Sequence, residues 1–350
     1  MKPALITALL CGALTLASCL GGGAGSRGIR GQNGGQNAAT AGASGPGAGA
    51  GAVDLALAAI VAPHEALLTA ERWVQLPNAS GGIDSFFERL DADGQGGMRL
   101  QLKAGVGPGG RSFQPTPEQI VIHESRQRFL LRYRDFRIRD LALLKANYDC
   151  EEVPGVHTAA GRDARNFRLV SKFGFGRAEL EVDRATNVLL GWSWFNAAGT
   201  RIERLETMSV DFAPDHTGVQ WSSASVNEEV YEPSLHEARL GFSPLRFGYA
   251  PQGFTLVREG FFDAPAAGLG FPALYLAVLS DGMNVVLVAQ QQGERKPGTP
   301  PIKPRMGYTL SHSFLGGVRV LEGEPYGRRA FVVGSMSKNE MIAILSSLRP

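Results

Sequence analysis

Between residues 167 and 212 the chain alternates apolar and polar positions with the period of a strand. Phe167, Leu169, Phe173 and Phe175 share one face of NFRLVSKFGFG. Ala178, Leu180 and Val182 share one face of AELEVD, and Val188, Leu190, Trp192 and Trp194 one face of VLLGWSWF. TRIERLETMSVDF continues the alternation through Ile202, Met208, Val210 and Phe212. The connectors DRATN and NAAG are turn material, so the pattern predicts a four-stranded antiparallel meander. Its apolar face is rich in aromatic rings. Such a face packs under a helix or, on a curved sheet, lines a lipid-sized cavity.

The same reading extends in both directions. HEALLTAERWV (His64–Val74) has apolar residues at helical spacing, with a strand possible for part of it. FFERLDADGQGGMRLQLKA (Phe86–Ala104) predicts a hairpin turning at Asp-Gly and Gly-Gly. Asp91 and Asp93 ahead of Gly94 could open a calcium loop. Its fifth position is Gln95 and its twelfth is Leu102 rather than Glu, which favours a simple turn. In ESRQRFLLRYRDFRIRD, Phe129, Leu131 and Tyr133 alternate with Arg128, Leu130, Arg132 and Arg134, which predicts a strand. Arg128, Arg132 and Arg134 are candidates for a surface that meets anionic lipid or an acidic partner. The alternative is a solvated sheet face with cross-strand ion pairs. Tyr133 joins Phe173, Phe175, Trp192 and Trp194 as a candidate lining of a lipid cavity. Asp140 is placed to cap a short helix, LALLKANY.

A connection over 213–243 leads to a second α+β unit. LYLAVLSDGMNVVLVAQQ (Leu274–Gln291) predicts a hairpin pivoting on Asp281-Gly282. Gly293–Gly307 reads as a proline-rich loop, and VRVLEGEPYGRRAFVVGSM as another strand pair. Ser337 to Glu340 is a capping box for a final helix, NEMIAILSSL.

The front of the chain has a different character. Lys2 and the apolar run Ala4–Leu16 read as an export signal, too short to span a bilayer. Leu16-Ala17-Ser18-Cys19 resembles the bacterial lipoprotein box, in which the signal is cut before the cysteine and the cysteine is acylated. Cys19 is therefore the candidate lipidation site and 1–18 the signal peptide. Each buried methylene contributes about 0.8 kcal/mol, so several acyl chains anchor a protein stably. Leu20 stands where an inner-membrane retention signal has Asp, which favours the outer membrane over the inner. Residues 19–53 then read as a tether. Thirteen of the 45 glycines fall in 20–52, too little apolar surface to offset ordering entropy.

Composition narrows the function classes. With 44% hydrophobic residues and a formal charge of +2, the 350-residue chain can bury two cores. It lacks the positive field that nucleic-acid binding needs. Cys11, Cys19 and Cys150 build no disulfide framework or metal cluster. No GxSxG, HxH, HxxxH or HExxH occurs, so no enzyme activity, metal or cofactor is expected.

NYDCEEVPGVHTAAGRDARNFRLV, the meander from AELEVD to MSVDF, YAPQGF (Tyr249–Phe254) and LYLAVLSDGMNVVLV together resemble the periplasmic sigma-factor regulators of the RseB/MucB type. The likeness covers roughly residues 120–350. It implies an α+β fold: an N-terminal domain over 54–232 like the lipoprotein carriers LolA and LolB, and a small α+β domain over 233–350. The first would be a curved antiparallel half-barrel covered by helices. Members of that family bind the periplasmic part of a membrane-bound anti-sigma factor and release it when envelope lipids signal stress. The expected partners are thus the membrane, through N-terminal acyl chains, an anti-sigma factor or other envelope protein, and a lipid or lipoprotein acyl chain. A LolA/LolB-like carrier is the alternative, favoured by the anchor, which the regulators lack.

Overall fold

The computed structural model describes residues 49–78, 82–221, 228–263, 273–293, 309–312 and 319–350. The export segment, Cys19, the tether up to residue 48 and the proline-rich loop over 294–307 lie outside the described residues. The strands are β1 (Leu67–Pro77), β2 (Ile83–Asp93), β3 (Met98–Lys103), β4 (Gly105–Val106), β5 (Ser112–Phe113), β6 (Tyr148–Ala159), β7 (Arg162–Ser171), β8 (Arg177–Asp183), β9 (Leu189–Phe195) and β10 (Arg201–Asp211). They continue with β11 (Glu228–Val230), β12 (Thr255–Phe262), β13 (Leu274–Ser280), β14 (Val285–Gln292), β15 (Thr309–His312), β16 (Arg319–Gly323) and β17 (Arg328–Gly334). Among the described residues the helices are α1 (Gly49–Ala58), α2 (Pro117–Phe129), α3 (Leu141–Asn147), α4 (Pro233–Leu240) and α5 (Lys338–Ser347). The fold is α+β and its two large sheets are antiparallel. The first runs β3-β2-β1-β10-β9-β8-β7-β6, and the second β11-β12-β13-β14-β17-β16-β15.

Alternation explains both sheets. On β7 and β8, Phe167 and Leu169 stand opposite Leu180 and Ala178 and are buried with Trp192 and Leu205. The meander β7 to β10 forms as the alternation predicts. On β9 an extra residue enters where Val182 pairs Leu189 and Glu181 pairs Gly191. Leu189, not Leu190, therefore packs in the cluster that holds Trp192. β13 is buried along its whole length, which explains its unbroken apolar run. Tyr275, Ala277 and Leu279 lie in one cluster with Met341, Ile344 and Leu345 of α5. Leu274, Leu276 and Val278 lie in another that also contains Leu68, Ala70, Leu90 and Leu100 of the first sheet. A continuous apolar core therefore joins the two sheets.

Three local expectations change. Leu67–Pro77 is a strand, preceded only by a 3-10 turn at Pro63–Glu65, because every second residue from Leu68 to Leu76 is buried. Glu124 to Arg134 is helical rather than extended: α2 runs on into a π-helical turn over Leu130–Arg134. The start signal lies upstream. Thr116 Oγ1 accepts from Gln119 N–H at 3.2 Å, Gln119 Oε1 accepts from Thr116 N–H at 2.9 Å, and Pro117 follows the cap. The third change is α1, which begins at Gly49, inside the stretch read as tether. Ala56 and Leu57 find a place in the first core, with Val53 and Ile60 packed against it.

The β13–β14 turn enters the first core. Met283 is buried in the cluster that holds Leu144, Tyr148 and Trp192. Gly282 carbonyl accepts from Arg139 N–H at 2.8 Å, and Met283 carbonyl from Arg139 Nε at 3.1 Å. Tyr148 donates to Asp281 Oδ2 at 2.6 Å, and Asn147 Nδ2 reaches the carbonyls of Asp281 and Gly253 at 2.9 and 2.7 Å. Gly282 has φ +108°, and a Cβ there would collide with the backbone of Leu144. Glycine is required.

Candidate functional site

Two places concentrate chemistry, and they differ in kind. The first is a buried ionic cluster under α2. Arg72 and Glu88 are opposed residues on β1 and β2 and are ion-paired. Arg134 donates to Glu88 Oε1 at 2.8 Å and Oε2 at 3.0 Å, and to Asp135 Oδ1 at 2.7 Å. Arg72 reaches Asp135 Oδ2 at 2.6 Å, and His123 Nε2 lies 3.0 Å from Glu88 Oε2. Burial pushes the Glu88 carboxyl up, but the Arg134 and Arg72 guanidiniums and the His123 contact outweigh it and hold it well below the usual carboxylate range. Two guanidiniums face two carboxylates, all of them buried, so the cluster is internally neutral and serves packing. Arg134 is thus withdrawn from any partner surface, contrary to the sequence expectation, because its charge is spent on Glu88 and Asp135. The side chains of Arg128, Arg132 and Tyr133 lie outside the described residues. Sequence reasoning missed Arg72, Glu88 and His123. The available signal was charge at inward strand positions: Arg72 lies between Ala70 and Val74, and Glu88 between Phe86 and Leu90.

The second place is a cleft of about 330 Å³ between the two sheets. From the first sheet it takes Trp194 and Ile202, and from the β7–β8 turn Phe175; from the second unit come Phe254, Val285 and Arg319, with Met336 and Glu340. Phe175 is presented by a turn whose glycines, Gly174 and Gly176, have φ +75° and +114°, and a Cβ on Gly176 would collide with the carbonyl of Phe195. Phe173 packs beside Phe175, with ring centroids 6.5 Å apart, and lies against Gly253. Trp192 is not in the cleft; it is buried in the core, and its indole N–H has no acceptor among the described residues. Of the aromatic candidates, the structure therefore brings Phe175 and Trp194 together, sets Phe173 behind them, and assigns Trp192 to packing.

One carboxyl near the cleft is perturbed. Glu203 stands opposite Trp194 on β10; burial pushes it up to about 7, against the pull of Arg319. Asp281 is held by Tyr148 and Asn284, and Glu340 by the Tyr249 hydroxyl at 2.6 Å. Cys150 is half-buried and its thiol is pushed up to about 11 by burial, the opposite of an activated nucleophile. Among the described residues no group of three His, Cys, Asp or Glu side chains could hold a metal ion, and no helix is long and apolar enough to cross a membrane.

Solved structures with this architecture exist. MucB crystallised in complex with MucA(peri) superposes with a TM-score of 0.51 over 86% of this chain and 97% of that one, at 18% identity. MucB crystallised without MucA gives 0.50 over 87% and 100%, also at 18% identity. The Pseudomonas aeruginosa MucA/MucB complex gives 0.50 at the same identity. The chain has the MucB fold. The resemblance carried by YAPQGF, SDGM and the meander is thus the resemblance of the whole architecture. No protein-family model and no curated protein matches the chain. Within the MucB fold, the YAPQGF and SDGM stretches have a physical reason: Gly253 lets Phe173 approach, and Gly282 admits the turn to the first core.

Proposed function

We propose that this chain is a lipid-anchored regulator of the cell envelope that binds an extracytoplasmic segment of a membrane partner such as an anti-sigma factor. The likeness to MucB crystallised with MucA(peri) carries the reading. In it, residues 54–232 form a LolA-like half-barrel domain and 233–350 a smaller one, and the cleft between them seats the partner segment. The protein is a binding protein and not an enzyme. It stands on the periplasmic face, held by acyl chains on Cys19, with the outer membrane as its destination. Lipid entering beside Phe175 and Trp194 would compete with the partner and signal stress.

A LolA/LolB-like carrier of lipoproteins or lipids is the second reading, favoured by the lipoprotein box. The interior of the first sheet speaks against it, since α1, Met283 and the ionic cluster occupy that side. The test is affinity capture of the anchored protein from its own membranes. A single-span membrane protein should copurify, and Trp194→Asp, with its fold intact by circular dichroism, should reduce recovery about tenfold or more. Recovery of acylated lipid or lipoprotein alone would select the carrier.

A further inference from the structure

The cleft is apolar over most of its wall, and its polar lining carries two carboxyls, Asp281 and Glu340, beside one guanidinium and neutral Asn and Ser side chains. Phe175, Trp194 and Phe254 provide ring faces. Asp281, Glu340 and the adjoining Glu203 are three carboxyls against one guanidinium among the described residues, that of Arg319. Arg319 is itself engaged, donating to the Met336 carbonyl at 3.1 Å. Glu203 on β10 is paired with Trp194 of the neighbouring strand β9, and its carboxyl feels Arg319 but accepts no hydrogen bond from the described residues. A half-buried carboxyl without a donor is a costly group, and a cationic side chain arriving over aromatic rings would relieve that cost.

We infer that the cleft receives an extended segment carrying an arginine or lysine flanked by apolar residues. The alkyl stem would lie along Trp194 and Phe175, and the charged head would face Glu203. An acidic segment or a free anionic acyl chain would bring a second negative charge to the same carboxyls. The inference rests on the proposal that the cleft seats a partner segment, and it adds that segment's chemistry.

The test is fluorescence anisotropy of the full chain against a capped peptide of pattern Leu-Phe-Arg-Leu-Phe. Two analogues carry Gln or Glu in place of Arg, and decanoate is the acyl probe. The Arg peptide should bind about tenfold more tightly than the Gln analogue, and the Glu analogue more weakly still. Glu203→Gln should remove most of that preference, and Trp194→Ala should weaken all peptides. Equal binding of the three peptides, or decanoate held in the cleft that the Arg peptide does not displace, would overturn the inference. Capture of the membrane partner is scored separately. A partner that binds without charge preference sinks the inference and spares the regulator reading. Arg-selective binding without any membrane partner does the reverse.

Discussion

Between α2 and the first sheet lie Arg72 and Glu88 of the strands, His123 of α2, and Arg134 and Asp135 at the end of the π-helical turn, all buried, whereas beneath α5 the second sheet meets Met341, Ile344 and Leu345. Apolar burial has no preferred direction, so α5 is set by its Ser337 cap and by shape. The ionic cluster is directional. Each guanidinium must meet a carboxylate, and the π-helical turn puts Arg134 where it reaches both Glu88 and Asp135. The first interior thus trades tolerance for a specified geometry, and the second keeps tolerance.

That difference can be broken from either side. Glu88→Ala should have the largest effect, about 3–5 kcal/mol of lost stability in urea unfolding, because Arg72 loses a partner and Arg134 keeps only Asp135. Arg72→Met with Glu88→Leu should cost less than the single change. A double variant as damaged as Glu88→Ala would mean that the charges matter for more than pairing. Ile344→Ala on the other side should cost about 2–4 kcal/mol, with Ile344→Val much milder. Gly282→Ala acts on the joint between the two regions: its positive φ alone costs about 1–3 kcal/mol, and the collision with the Leu144 backbone displaces the turn further, read as faster proteolysis of β13–β14. The smallest effect is expected at Glu203. Its carboxyl is raised in the folded protein, so its contribution is fully present below the unfolded value near 4.5 and is lost as pH rises through about 7. Glu203→Gln should therefore stabilise the fold by about 1 kcal/mol above pH 7 and by nothing at pH 4, read as the difference in melting temperature.

Much of the fold was legible because alternation survives where strands bury one face. Phe167, Leu169, Leu180 and Val182 are examples, as are the Asp140 and Ser337 caps. The arginine-rich segment misled for a physical reason. In a π-helical turn adjacent Leu130 and Leu131 are both buried, so neither period applies and an accidental alternation of arginines dominates. The cleft was half legible: Phe175 and Trp194 stand out as aromatic, but Phe254 before β12, Arg319 on β16 and Glu340 on α5 are far away in sequence and no spacing links them. Arg134 looked exposed because nothing near it in sequence reveals Glu88, 46 positions away.

The insertion of Met283 also bears on how such a chain is made. Ribosomes deliver the N-terminal sheet first, yet Met283, which shares its apolar cluster with Leu144 and Trp192, comes more than a hundred positions later than Leu144. Until the β13–β14 turn has left the ribosome, the part of that cluster it covers stays exposed. Newborn copies would depend on holding chaperones during that interval, and a fragment ending before Asp281 should be a substrate for quality-control proteases rather than a working half-protein.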